Sequence, residues 1–406
     1  MIVNRVTLLG NKDHGKSTLI GSLLIQTKSV SQQRIDDAKK TSKKLGRKFE
    51  PGYILDSFQE EREREMTIDT TRAQVKYKNT GFEFIDVPGH EELMKNMLSG
   101  ASYADFAILL VSAKPDEGIT TQTKRHLFVA KMMGIGKLVV AVNKLDAVGY
   151  SQKRFEEIKM DIGSYLSRIG FADEEASFVP VSAYNGENLV RLSPNTAWYK
   201  GRSLLDELVT ESRMGKARKQ RKLLISLQGV FEGHANSVFG KVLSGKASRG
   251  DRVIALPGGK TSRILDIFVS GRRKRSFEEG DIVTLRLDGN IGREVKGTIL
   301  ADNRRSCSTG NRIRALLLAT KQLKGDHSIK LNGVAVRCKK LNVKMEIDVA
   351  TGESKRSSRI KPLSAGLVEI ILDRDIATDA FSRTPEIGRF VLYTNKSFSG
   401  IGIITD

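Results

Sequence analysis

The sequence predicts an α/β domain built on a mostly parallel sheet, followed by two small β-barrel domains. Three observations carry that prediction. From residue 1 to about 210, apolar runs alternate with amphipathic stretches, the pattern of strands wrapped by helices. A glycine-rich turn, Gly10-Asn11-Lys12-Asp13-His14-Gly15-Lys16-Ser17-Thr18, joins the first apolar run to the helical pattern behind it. Beyond about 218, short β-branched runs are cut by Gly233, Gly240, Gly245, Gly250, Pro257-Gly258-Gly259, Gly271, Gly280 and Asp288-Gly289, and a second such block runs from about 310 to 406. Turns at that spacing suit small barrels. The expected domains are 1–217, 218–308 and 309–406, with a basic, apolar-poor linker over 211–222.

Strands are expected at 2–9, 82–86, 106–111, 137–142 and 177–181. In such sheets ligands sit beyond the carboxyl ends of the strands, and every suspicious motif of the first domain falls there. In the turn at 10–18, glycines let backbone N–H groups face phosphate oxygens, and the helix opening near Lys16 adds the positive end of its dipole. Lys16 would reach the β- and γ-phosphates and the Ser17 hydroxyl would ligate Mg²⁺, which makes Asn11, Lys12, Asp13, His14, Gly15, Lys16, Ser17 and Thr18 candidate nucleotide contacts. Asp86, in Asp86-Val87-Pro88-Gly89-His90, is placed to hold Mg²⁺ through water, and the Gly89 N–H to meet a γ-phosphate.

After the strand 137–142 comes Asn143-Lys144-Leu145-Asp146. The Asp146 carboxylate can accept from the N1–H and exocyclic amine of guanine, whereas adenine presents the wrong donors and acceptors there. A site built on that pair of hydrogen bonds rejects the wrong base by on the order of 10⁴. The Lys144 stem can lie over the base plane, and Ser182-Ala183 offers backbone N–H groups to the guanine carbonyl. Each fragment alone reads equally well as an ordinary loop. Their order, each behind an expected strand, selects GTP over ATP.

Composition narrows the class. The two cysteines, Cys307 and Cys338, are too few for a disulfide framework and read as packing residues in a reducing cytoplasm. There is no basic leader with an apolar core, and no run approaches the ~18 apolar residues a membrane span needs. The net charge of +21 is unevenly placed: residues 1–210 carry 30 Lys and Arg against 27 Asp and Glu, residues 211–406 carry 38 against 20. Such asymmetry points to a polyanion partner, RNA being the commonest inside cells.

These motifs resemble those of the translational GTPases, most closely the elongation factor 1-alpha class. The matching stretches include Asp13-His14-Gly15-Lys16-Ser17-Thr18, Leu55-Asp56, Glu61-Arg62-Glu63-Arg64, Thr67-Ile68-Asp69, Asp86-Val87-Pro88-Gly89-His90, Lys95-Asn96-Met97, Gly100-Ala101-Ser102, the run from Tyr150 to Ile158, and Trp198-Tyr199-Lys200-Gly201. The resemblance implies an α/β P-loop GTPase domain in front of the barrels. It implies that Thr67, in the first switch, contacts Mg²⁺ and the attacking water, and that His90, in the second, positions that water, so that Lys16, Thr67 and His90 form the catalytic set. It also implies a slow GTP-to-GDP hydrolysis that a ribosome accelerates by on the order of 10⁵. Ribosome, tRNA and an exchange factor are the expected partners of a cytoplasmic monomer.

The chain departs from the family in places. Lys12 stands where the family has an apolar residue, and Glu65-Met66 where it has Gly-Ile; Lys12 can pair with phosphate or with Glu65. Gly280-Asp281-Ile282-Val283 lacks the amide that delivery factors use near the aminoacyl end of tRNA. Val283–Leu287, Ala301–Arg304, Leu372–Ala377 and Gly388–Leu392 are similar to the GTPase subunit of bacterial ATP sulfurylase, which leaves a regulatory role in sulfate activation as the alternative. Arg272-Arg273-Lys274-Arg275 reads as a hairpin tip too densely basic for internal pairing, and Arg304-Arg305 as a second contact; both are candidate RNA-binding residues, against a solvated loop.

Overall fold

The computed structural model describes residues 3–44, 46, 48–55, 71–86, 106–132, 134–135, 137–214, 222–231, 234–292 and 295–405. Thr67, Gly89, His90 and most of the linker 211–222 lie outside them, as do the side chain of Asp86 and the pair Glu65-Met66. Internal contacts divide the chain into two compact units, Met1–Ala217 with Val349–Gly352, and Arg218–Asp348 with Glu353–Asp406.

In the first unit the strands are β1 (Val3–Leu9), β2 (Thr71–Tyr77), β3 (Thr80–Asp86), β4 (Phe106–Ser112), β5 (Leu138–Asn143) and β6 (Ala176–Pro180). They lie in the order β2-β3-β1-β4-β5-β6, parallel throughout except for β2 against β3. Every residue of β4 (Phe-Ala-Ile-Leu-Leu-Val-Ser) and β5 (Leu-Val-Val-Ala-Val-Asn) is buried, as expected of strands covered on both faces. The helices are α1 (Lys16–Gln26), α2 (Gln32–Lys44), α3 (Thr121–Met132), α4 (Gln152–Arg168) and α5 (Leu204–Met214). α1 sinks Leu19, Ile20, Leu23 and Leu24 into the same core as Phe82, Phe84 and Leu110. α4 starts cleanly because the Ser151 side chain accepts from the Arg154 N–H.

The strand β2 is an addition to the sequence reading. Its buried Ala73 and Val75 alternate with exposed Gln74 and Lys76, and Lys78-Asn79, both at positive φ, close a two-residue hairpin onto β3. The lysine hides the turn from inspection of the sequence.

The second unit holds two antiparallel barrels. Strands β7 (Leu224–Phe231), β8 (His234–Ser244), β10 (Arg252–Leu256), β11 (Lys260–Val269), β14 (Ile282–Leu287) and β15 (Ile299–Ala301) close a ring through the β10–β11 pairing. β12 (Arg272–Lys274) continues from β11, while β9 (Lys246–Ser248) pairs with β13 (Ser276–Glu278). The second ring is β16 (Ser308–Ala319), β17 (His327–Leu331), β18 (Val334–Ile347), β20 (Ala365–Thr378), β21 (Arg389–Thr394) and β22 (Ser397–Ile404), with β19 (Ser354–Arg356) on β18. Each ring is filled from alternate positions, Val238, Val242 and Leu285 in one, Ile313, Ile370 and Leu392 in the other. A third cluster, including Leu224, Leu256, Cys307 and Ile387, draws on residues from both rings. Both cysteines are free and buried, and burial, the largest influence, pushes each thiol up to about 12.

Truncating Phe84, which is fully buried, to alanine is expected to cost about 3–5 kcal/mol of unfolding free energy. The same change at the exposed Met160 should stay within about 0.5 kcal/mol. Denaturant titration of the two variants checks the contrast.

Candidate nucleotide site

The turn between β1 and α1 is pressed against neighbouring strands. Gly10 and Gly15 have φ of 138° and 92°; a Cβ on the first would lie 2.6 Å from the Leu110 carbonyl oxygen, and on the second 2.5 Å from Asn143 Nδ2. Only glycine fits either place. The Lys16 ammonium donates to the carbonyls of Gly10 (3.1 Å) and Asn11 (2.9 Å), so the loop wraps its own cation. Asn11 Nδ2 donates to Thr120 Oγ1 at 2.6 Å, and the Gly10 N–H donates to His126 Nδ1 at 3.3 Å. No side chain caps α1 and no acidic residue occupies its first turn. The first helical bond runs from the Leu19 N–H to Gly15, leaving the N-terminal amides and the positive end of the dipole for an anion.

At the other end of the site, Asn143 Nδ2 donates to the His14 carbonyl at 2.8 Å and its Oδ1 accepts from the Ala183 N–H at 2.8 Å. Lys144 adopts a left-handed conformation (φ 61°, ψ 32°) that turns the chain into the short 3₁₀ segment Leu145–Val148, which carries Asp146. Asp146 Oδ1 is buried and has no hydrogen-bond partner among the described residues. Leaving a buried acceptor unsatisfied costs about 1–3 kcal/mol, which a donor pair would recover. Lys144 Nζ lies 2.6 Å from Glu117 Oε2. Burial works to raise the Glu117 carboxyl, but hydrogen bonds from Lys144, Ser112 and Lys114 and the Lys144 charge outweigh it and bring it down to about 2.

Both ends open on one cleft of about 890 Å³, lined by Lys12, Asp13, Gly15, Lys16, Ser17 and Thr18 at the phosphate end and Asn143, Lys144 and Asp146 at the other. That volume suits a nucleotide. The Lys12 side chain is exposed and has no ion pair among the described residues.

Four expected contacts sit differently. The His14 ring is 2% exposed, with Nδ1 3.0 Å from the Leu110 oxygen and Nε2 3.4 Å from the Glu117 oxygen, so it braces the loop instead of facing the cleft. Burial lowers its pKa, against the two carbonyls and the Glu117 charge, which raise it. The Asn11 side chain is likewise spent on Thr120. The N–H groups of Ser182 and Ala183 are not free donors: a small bridge ties the first to the Glu187 carbonyl (3.3 Å), and Asn143 takes the second. Asp86 ends β3, and its side chain, Thr67, Gly89 and His90 fall outside the described residues. The sequence reading missed Glu117, Thr120 and His126. They follow β4 at its carboxyl end, where ligands gather, but match no motif.

The basic hairpin also needs correction. Arg273 and Arg286 both grip the buried Asp266, through Nε at 3.1 and 2.7 Å and through their terminal amines, so dense charge does not exclude internal pairing. Arg272, Lys274, Arg275, Arg304 and Arg305 are exposed, with no side-chain ion pair among the described residues.

Comparison with known proteins bears on this arrangement. The family profile of the Elongation factor Tu GTP binding domain matches residues 2–214, and that of the GTP-eEF1A C-terminal domain matches residues 323–405. Elongation factor 1-alpha of Aeropyrum pernix is 32% identical over 99% of this chain and 96% of its own length. For the same factor of Hyperthermus butylicus the figures are 33%, 99% and 95%, and for that of Thermoplasma volcanium 33%, 96% and 94%. A solved structure of sup35 complexed with GDP aligns over 100% of this chain and 94% of its own at 21% identity, with a TM-score of 0.42, too loose a likeness to add to the assignment. With a GTP-binding domain over the first half and relatives shared from end to end, the chain belongs to the elongation factor 1-alpha family of GTP-binding translation factors.

Proposed function

We propose that the protein binds GTP with Mg²⁺ in the cleft, hydrolyses it to GDP, and acts as a nucleotide-timed switch in the cytoplasm on a ribosome or tRNA-like partner. The observation that carries the reading is the buried Asp146 Oδ1, unpartnered among the described residues, at one end of a cleft whose other end is a helix N-terminus with no side-chain cap and a lysine. An acceptor with no partner is matched by the N1–H and amine of guanine. On phosphate binding, Lys16 exchanges the carbonyls of Gly10 and Asn11 for β- and γ-oxygens, and the amides opening α1 take the remaining charge.

Ser17 lines the cleft beside Lys16 and fits a hard cation that keeps several waters and phosphate oxygens among its ligands. Asp86 and Thr67 complete the proposed set by family resemblance. Mg²⁺, when bound, neutralises charge on the β- and γ-oxygens. By the same resemblance, Thr67 and His90 hold the attacking water in line, and an exchange factor reloads the switch. Catalysis of this kind rests on placement and charge. The elongation factor 1-alpha relatives, shared end to end, favour this reading over the sulfurylase subunit.

We also propose domain boundaries at 217/218 and 308/309: the first is where the two compact units part, and the second falls one residue inside β16, the strand that opens the second ring. The exposed cations Arg272, Lys274, Arg275, Arg304 and Arg305 are proposed to meet RNA phosphates.

Asp146→Asn is expected to weaken GTP binding by about two to three orders of magnitude while admitting xanthosine triphosphate, whose C2 carbonyl oxygen accepts from the carboxamide NH₂. Competition with a fluorescent guanine nucleotide measures both; an unchanged preference would remove Asp146 from base recognition. For the RNA surface, tRNA affinity should fall with salt at a logarithmic slope of about −0.7 to −0.9 per phosphate contact, and the triple change of Arg272, Lys274 and Arg275 to alanine should make that slope shallower by about 2 to 3. An unaltered slope would clear the hairpin of that role.

A further inference from the structure

The segment between β4 and α3 belongs to no nucleotide motif, yet it touches both ends of the cleft through one residue. The side chain of Glu117 takes Lys144 Nζ at 2.6 Å on Oε2 and Lys114 Nζ at 3.4 Å on Oε1. Its backbone oxygen lies 3.4 Å from Nε2 of His14, whose own carbonyl is held by Asn143. Three residues on, Thr120 fixes Asn11. We propose that Glu117 is a positioning residue for nucleotide binding: it holds the Lys144 stem stretched along the cleft wall, ready for the flat face of a purine, and references it to the phosphate loop. The proposal rests on the reading that this cleft binds GTP.

The physical argument concerns order. A lysine has four side-chain torsions, and one that must be immobilised when the base arrives subtracts that entropy from the binding free energy. Lys144 is constrained at both ends before any base is present. Its backbone sits in the left-handed region, where a lysine is rarely found, and its ammonium is bonded to a carboxylate that stays ionised far below neutral pH. Glu117 and Lys144 are each about a quarter exposed, at 24%, so water competes only partly for the pair. Lys114 alone would not orient Lys144, because like charges repel; Glu117 is the anion between them.

A stem lying over the ring does not read its hydrogen-bonding edge. Loss of Glu117 should therefore weaken all purine nucleotides of the site together, whereas loss of Asp146 changes which base is preferred. Glu117→Ala is expected to weaken GDP, GTP and ITP alike by about tenfold, mostly by faster dissociation, with the GTP-to-ITP ratio kept within about twofold. Glu117→Gln, which retains an acceptor oxygen for Lys144, should recover part of that loss. In a Lys144→Ala background, adding Glu117→Ala should change affinity by less than about twofold, because its effect passes through the lysine.

The measurement is equilibrium and stopped-flow binding of fluorescent GDP to the full chain and its variants, with unlabelled GTP and ITP as competitors and thermal melting as a control for folding. The proposal is overturned if Glu117→Ala binds as the parent does, if the GTP-to-ITP ratio moves with it, or if its cost is undiminished in the Lys144→Ala background. Should Glu117→Ala not fold, the milder Glu117→Gln with Lys144→Ala gives the same cycle. A parent that binds no guanine nucleotide would sink the reading of the cleft, while a parent that binds normally beside an indifferent Glu117→Ala sinks the role of Glu117 alone.

Discussion

The carboxamide of Asn143 donates to the carbonyl of His14 and accepts from the N–H of Ala183, so the loops that follow β1 and β6 are both fixed to one side chain at the end of β5. Everything functional in the first unit depends on that constraint. It seats the phosphate loop so closely that no Cβ fits at Gly15, and Asn143 leads directly into the loop bearing Lys144 and Asp146, which lines the same cleft as the N-terminus of α1. The buried parallel core beneath, above all β4 and β5, gives Asn143 a rigid place to stand. A cleft held this way is preorganised: its hydrogen bonds are aimed before the ligand arrives.

Two kinds of charge placement follow. Inside the cleft, cations are managed by local partners: Lys16 is wrapped by loop carbonyls and Lys144 is held by Glu117, while Lys12 stands free of ion pairs among the described residues. On the barrels, Arg273 and Arg286 converge on Asp266 and hold a hairpin in shape, leaving their neighbours Arg272, Lys274 and Arg275 exposed. A basic run in sequence is thus split by the fold into a structural cation and presenting ones.

Much of this was legible in the amino-acid order because strong local signals drive it. The apolar runs of β1, β4, β5 and β6 fall where hydrophobic patterning puts them, to within one or two residues, since strands buried on both faces have no polar positions to blur the pattern. The phosphate loop and Asn143-Lys144-Leu145-Asp146 are visible because their positions answer stereochemical demands, glycine at positive φ in the first and a carboxylate proposed for a base edge in the second. The strand β2 was not, because it lies at the sheet edge with half its face in water and turns through a lysine instead of a glycine. The same limit hid Glu117, Thr120 and His126, whose roles arise from contacts about 27 to 116 residues away along the chain. Sequence also could not say that the Ser182 and Ala183 amides are already engaged, or that the His14 ring turns inward, because both are facts of packing.

The central claim is that the cleft is read as a guanine site by an acceptor that has no hydrogen-bond partner among the described residues. Calorimetric titration of the full chain with GTP and with ATP, each with Mg²⁺ and at one fixed ionic strength, tests it most directly. The account predicts GTP bound tighter than ATP by about three to four orders of magnitude. Equal affinities would contradict it, because Asp146 is the group assigned to the edge of the base.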